Sequence, residues 1–104
     1  SGLPVQVVAE TTDWRRVCDP TGGGAWVHRS MIDGRRTVMP LGTTPATLRK
    51  APAAESAVVG LLNARAVARL DRCAVGWCKV KVGGVGGWLS SDNLWGVAPA
   101  AQCR

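Results

Sequence analysis

Gly76-Trp77-Cys78-Lys79-Val80, followed closely by Gly86-Gly87-Trp88-Leu89-Ser90-Ser91, is the stretch that decides how this chain folds. Within Trp77–Val82 the residues alternate. Trp77, Lys79 and Lys81 fall on one side of a strand, and Cys78, Val80 and Val82 on the other, where a core would lie. Gly83-Gly84-Val85 then turns the chain back at once, so the two runs read as a hairpin. The same frame occurs earlier. Asp13-Trp14-Arg15-Arg16-Val17 leads through Asp19-Pro20-Thr21-Gly22-Gly23 into Gly24-Ala25-Trp26-Val27-His28-Arg29-Ser30. The paired tryptophans lie twelve residues apart in the first copy and eleven in the second, and four of the five tryptophans belong to this frame. Tandem copies of one small β unit follow.

Working outward, residues 3–10 read as a Val-rich strand, followed by strands at 14–18 and 25–28. A short helical turn is expected at 30–34 and a closing strand at 35–39. Residues 1–39 therefore form an incomplete first unit. Pro40 to Ala46, with Gly42 and Pro45, is punctuation and reads as a linker, 40–46. The second unit, 47–97, carries strands at 47–50, 58–61, 64–70, 76–82 and 87–89. An open loop is expected at 51–56, a turn at 91–94 and a last strand through Val97. Residues 98–104 are a tail. Residues 53–70 are also rich enough in Ala, Leu and Arg to form a helix by propensity, although Gly60 and Asn63 interrupt them.

A chain of 104 residues allows one domain or two very small ones. Thirteen basic residues (ten Arg, three Lys) against seven acidic ones give a net charge of +6. Such a surface favours polyanions: nucleic acid, acidic lipid or an anionic wall polymer. No apolar run approaches the roughly 18 residues that a membrane-spanning helix needs. Ser1-Gly2-Leu3 does not read as a leader, so either a leader was removed or the sequence starts inside a longer protein.

The order Leu48-Arg49, Pro52, Val58-Val59-Gly60-Leu61-Leu62, Val67, Leu70, Gly76-Trp77, Lys79-Val80, Gly87-Trp88-Leu89 and Leu94 resembles a bacterial SH3-like domain over residues 47–97. Residues 3–36 resemble the second half of the same module, whose leading strands are expected upstream of Ser1. The resemblance implies an all-β protein of tandem small SH3-like, five-stranded, half-open barrels, the first incomplete. It further implies a role outside the cytoplasm in binding peptidoglycan or peptides, with the groove built around a tryptophan at about the position of Trp77.

Cys73 and Cys78 flank a tight turn, and residues facing each other across such a turn reach disulfide distance. A loop of that size stabilises by about 2 kcal/mol in the chain-entropy picture. Cys18 and Cys103 are left to pair with each other. Free thiols and a zinc site are the alternatives, but no Cys-x-x-Cys occurs and His28 is the single histidine. No metal and no cofactor is expected.

The expected ligand-binding set is Trp77 with Lys79, Lys81, Ser91 and Asn93, echoed in the first unit by Trp14 and Arg16. An aromatic beside cations stacks on a sugar, base or proline while the cations hold an anion. Trp26 and Trp88, each following a glycine, are expected to pack as anchors at the core edge. Arg15, Arg16, Arg29, Arg35 and Arg36 form either an anion patch or a solvated face. Catalysis is not expected: Cys73 and Cys78 are expected to be bridged to each other, Cys18 has no assigned base, His28 has no acid or serine constellation, and the carboxylates form no recognisable pair.

These residues point to a non-catalytic module of the cell envelope, periplasmic or extracellular, that recognises peptidoglycan or its stem peptides. A peptide-docking interaction module or scaffold subunit is the alternative, and a basic nucleic-acid-binding barrel the third. Oxidised cysteines argue against nucleic acid. The incomplete first unit exposes a sheet edge, so a homodimer by strand exchange is expected, or else tight packing of residues 3–39 onto the second unit through Trp95 and the tail to Cys103.

Overall fold

The structure, a computed structural model, describes residues 3–32, 36–92 and 94–97. Ten strands follow one another, broken by a single 3-10 turn at Arg29–Met31. They are β1 Gln6–Glu10, β2 Trp14–Cys18, β3 Gly24–His28, β4 Thr37–Pro40 and β5 Ala46–Arg49. Then come β6 Val58–Leu62, β7 Ala68–Ala74, β8 Trp77–Val82, β9 Val85–Ser90 and β10 Leu94–Trp95. The fold is all-β, as expected, and its larger sheet curls into a half-barrel.

Strands β1, β2 and β3 form a three-stranded antiparallel sheet in sequence order. Its connecting turn is closed by Asp19, whose carboxylate accepts from the Thr21 hydroxyl, the Thr21 N–H at 2.9 Å and the Gly23 N–H at 3.2 Å. These bonds, the Thr21 hydroxyl first, hold the Asp19 carboxyl below its usual range. The other seven strands form one sheet in the order β10-β4-β7-β8-β9-β5-β6.

Residues 53–70 are not a helix. Asn63 and Ala66 close a turn, the Ala66 N–H donating to the Asn63 carbonyl at 3.0 Å. That turn joins β6 to β7, and β7 starts at Ala68, later than the pattern suggested. Helix propensity loses here because each side of the segment buries an apolar row: Leu62 pairs opposite Ala46, and Ala68 and Leu70 face the core.

Strand β4 was expected to close the first unit, but it lies between β7 and β10 of the larger sheet. Val38 is in register with Ala68 of β7, and Trp95 of β10 with Met39. Alternation along β4 sends its neighbours to opposite sides. Fully buried Val38 joins Leu48, Leu62, Leu70, Val80, Leu89 and Leu94 in the half-barrel core. Met39 packs instead with Cys18 of β2 and Trp95, with Leu41 alongside. That cluster ties the small sheet to the large one.

The β7–β8 hairpin carries the expected cystine. Cys73 and Cys78 are register partners joined by a disulfide. Cys18 is also disulfide-bonded; Cys103, its expected partner, lies outside the described residues. Between the strands Val75 and Gly76 turn with φ of 51° and 82°, the two positive values a type I′ hairpin turn needs. Glycine adopts that backbone freely, but β-branched Val75 does not, and its side chain is 98% exposed with nothing gained in return. At the other end of the sheet, Gly87 admits Leu48. A Cβ there would stand 2.8 Å from Leu48 Cδ1 and 3.0 Å from the Arg49 carbonyl oxygen.

Two substitutions should move stability in opposite directions. Val75→Asn relieves the left-handed backbone and is expected to raise the unfolding free energy in urea by about 1 kcal/mol. Gly87→Ala should lower it by about 1–3 kcal/mol through overpacking against Leu48. Replacing both Cys73 and Cys78 by Ser should cost about 2 kcal/mol in the same assay.

Candidate functional site

Trp77 opens β8 opposite Ser90 of β9, beside the point where β9 runs out into the turn before β10. The alternation read from the sequence holds: Cys78 and Val80 are buried, while Trp77, Lys79 and Lys81 lie on the outward face. The Trp77 ring is half-buried because it lines a groove of about 280 Å³. Pro40 and Leu41 at the end of β4 line the same groove. So do Pro45, Thr47 and Arg49 around β5, and Ser90 and Asp92 before β10.

Hydrogen bonds hold parts of this lining in place. The Arg49 guanidinium donates from Nη1 to the Ser56 carbonyl at 2.9 Å, which fixes its reach across the groove mouth. The Asp92 N–H donates to Ser90 Oγ at 3.3 Å. The Ser91 N–H donates to the Gly76 carbonyl at 2.8 Å, pinning the turn to the disulfide-closed hairpin. The result is an apolar trough, aromatic and proline-walled, with a cation and a carboxylate on its lining. Such a trough accepts an extended chain that carries charges of both signs.

The expected site residues are not all brought together. Ser91 holds the turn by its backbone, while its neighbours Ser90 and Asp92 supply the lining. Asn93 lies outside the described residues. Lys79 and Lys81 share the outward face of β8 with Trp77 but are not among the residues that line the groove. Lys79 pairs across to Arg72 and Trp88, and Lys81 to Arg69. Lys81 instead borders a second, wider cleft of about 730 Å³ between the two sheets, with Val5, Val7 and Val27 on its far wall.

Trp14 and Arg16 lie in the small sheet on β2. Trp14 meets the His28 ring edge-on at 5.6 Å and stays 48% exposed, and Arg16 is exposed in register with Trp26. Trp26 does not anchor a core: it is 46% exposed on β3, because nothing covers that face of the small sheet among the described residues. Trp88 is half-buried under the Arg72 guanidinium, 5.4 Å above its ring. Of the first-unit arginines, Arg15 and Arg29 are taken up by Glu10 at 3.1 Å and Asp13 at 3.3 Å. Arg36 donates to the Gly96 carbonyl at 3.3 Å, and Arg35 lies outside the described residues.

Arg49, Asp92 and the two prolines escaped the sequence reading. Arg49 entered that reading only as part of the family pattern, not as a site residue, and Asp92 sits one residue from Ser91, which it did use. Pro40 and Pro45 read as linker punctuation, and only the folded chain turns them into groove wall.

The family follows from most of the chain. Residues 1–34 and 42–96 match the model of the bacterial SH3 domain. This chain is a member of the bacterial SH3 domain family. No curated protein and no solved structure gives a match. Bacterial SH3 domains are generally binding modules, which fits a site made of a trough rather than of reacting groups. Strand β4 falls between the two matched SH3 segments. Among the described residues no cluster of His, Cys, Asp or Glu is placed to hold a metal ion, and no helix is long and apolar enough to cross a membrane.

Proposed function

We propose that this bacterial SH3 chain is a non-catalytic binding module of the cell envelope, periplasmic or extracellular, and that the Trp77 groove receives peptidoglycan through its stem peptide. The observation that carries this reading is the groove itself: a half-buried indole facing proline walls, with Arg49 and Asp92 on the lining. A stem peptide is short and extended, and it presents carboxylate and amine groups close together. Its backbone would lie along the indole, a carboxylate would pair with the Arg49 fork, and an amine with Asp92. The cystine between Cys73 and Cys78 supports an oxidising compartment.

A protein peptide of the same shape is the competing ligand, favoured by the same prolines and indole. Co-sedimentation with purified sacculi at low and physiological salt separates the two. Wild type should bind at both salts, and Trp77→Ala and Arg49→Ala should each weaken binding about tenfold or more, as expected for groove anchors. Binding that vanishes with salt and ignores both substitutions would overturn the wall-binding reading. Capture of an extended Pro-rich peptide, but not of sacculi, would establish the docking module instead.

A specific observation also supports self-association. The tryptophan frame equates β3 with β9, and β9 is flanked by β5 whereas the outer edge of β3 is unpaired among the described residues. Trp26, on that edge strand, is 46% exposed. A second copy offering a strand to this edge would cover it. Sedimentation velocity is expected to show dimer at high micromolar concentration, and a monomer there would remove the proposal.

A further inference from the structure

The outward face of the large sheet, alongside the groove and meeting it at Arg49, is arranged in a way that packing alone does not explain. Like charges directly opposite one another on antiparallel strands destabilise a sheet. Here two successive outward rungs do so: Arg69 faces Lys81, and Arg72 faces Lys79. Between them Leu70 and Val80 point inward and are buried, so all four cations share one surface. The second rung continues through Trp88 to Arg49 on β5. The acid in contact with this face is Asp71, in the β7 bulge, 3.6 Å from the Arg72 guanidinium. Arg69, Lys79 and Lys81 have no ion pair among the described residues.

Arg72 is moreover preset. Its guanidinium lies 5.4 Å above the Trp88 ring, a stacking that removes rotamer freedom while leaving the side chain 60% exposed. A planar fork held over an indole can still present its N–H groups to a planar carboxylate. Neighbouring cations follow at about 5 Å across the strands and about 7 Å along them, the spacings of any β-sheet. One small anion would not span this array, whereas a linear chain with a charge on each unit would.

We infer that the face formed by Arg69, Arg72, Lys79, Lys81 and the Arg72-capped Trp88 is a second binding site, distinct from the Trp77 groove, and that it takes an acidic polysaccharide. Single-stranded nucleic acid has the charge but is bound through open aromatic platforms on which bases stack. On this face the indole is covered by Arg72. A carboxylate-bearing sugar polymer needs the forks and the charge and does not need a bare ring.

The test is binding of the intact chain to polygalacturonate by titration at several salt concentrations. Neutral dextran, polyglutamate and oligo-dT of equal charge serve as comparisons. Polygalacturonate is expected to bind best and to raise the melting temperature, with affinity falling steeply with salt. The double variant Arg72→Gln/Lys79→Gln should lose about tenfold or more. Lys50→Gln/Arg65→Gln, which removes the same charge elsewhere, should lose no more than about threefold. Equal losses in the two double variants would reduce the face to undirected charge and overturn the proposal. So would tighter binding of oligo-dT or polyglutamate, or no binding of polygalacturonate. Trp77→Ala should keep polygalacturonate binding while losing sacculi, so that the failure of either reading shows without the other.

Discussion

One strand serves two cores. Thr37–Pro40 is only four residues long, yet Val38 is fully buried in the half-barrel and Met39 is buried against Cys18 and Trp95. The period of two along a strand makes this possible, since neighbours must point to opposite sides. Units of this size bury little more than half of their unfolded surface and are marginal alone. A shared strand removes that weakness for both: the large sheet gains a member between β7 and β10, and the small sheet gains an anchor. It also shapes the candidate groove, because β4 ends in Pro40, which forms part of the wall lined with Trp77.

What was legible in the sequence was local. The hairpins were marked by their turns: Gly83-Gly84 between β8 and β9, and Asp19 to Gly23 between β2 and β3. The inward and outward sides of β8 were marked by strict alternation. The Cys73–Cys78 bridge was legible for the same reason, as the second pair of residues out from a two-residue turn is held opposite in the hairpin. The destination of β4 was not. Thr37-Val38-Met39 looks the same whether it closes the unit before it or enters the one after it. The choice is made by Ala68 and Trp95, far along the chain. Residues 53–70 were ambiguous for a related reason: their helix propensity is real, and it is overridden only when Leu62, Ala68 and Leu70 find a common core.

The candidate site was half legible on the same grounds. Trp77 is identified by its strand, so the sequence suffices to find it. Arg49, Ser90, Asp92 and the prolines come from three separate stretches that converge only after the sheet has curled. Trp26 illustrates the converse error. By analogy with Trp88 it belongs at a covered edge, but β3 has no counterpart of β5 beside it among the described residues, and the ring is left in the open. Repetition in sequence transmits strand and turn faithfully. It transmits burial only where the neighbouring strands are repeated too.

Strand β8 then explains how so small a fold carries chemically different surfaces. Cys78 and Val80 turn inward and fix the strand by cystine and core, so the outward residues are free of any packing duty. At the hairpin end the outward residue is Trp77, facing prolines and the β9–β10 turn. Farther along the strand the outward residues are Lys79 and Lys81, opposite Arg72 and Arg69. The sheet tolerates that repulsion because its cost falls on the face bearing no core, while the cystine resists separation of β7 from β8. A hairpin held by hydrophobic contacts alone would relieve paired like charges by fraying; closing it covalently keeps the cations side by side.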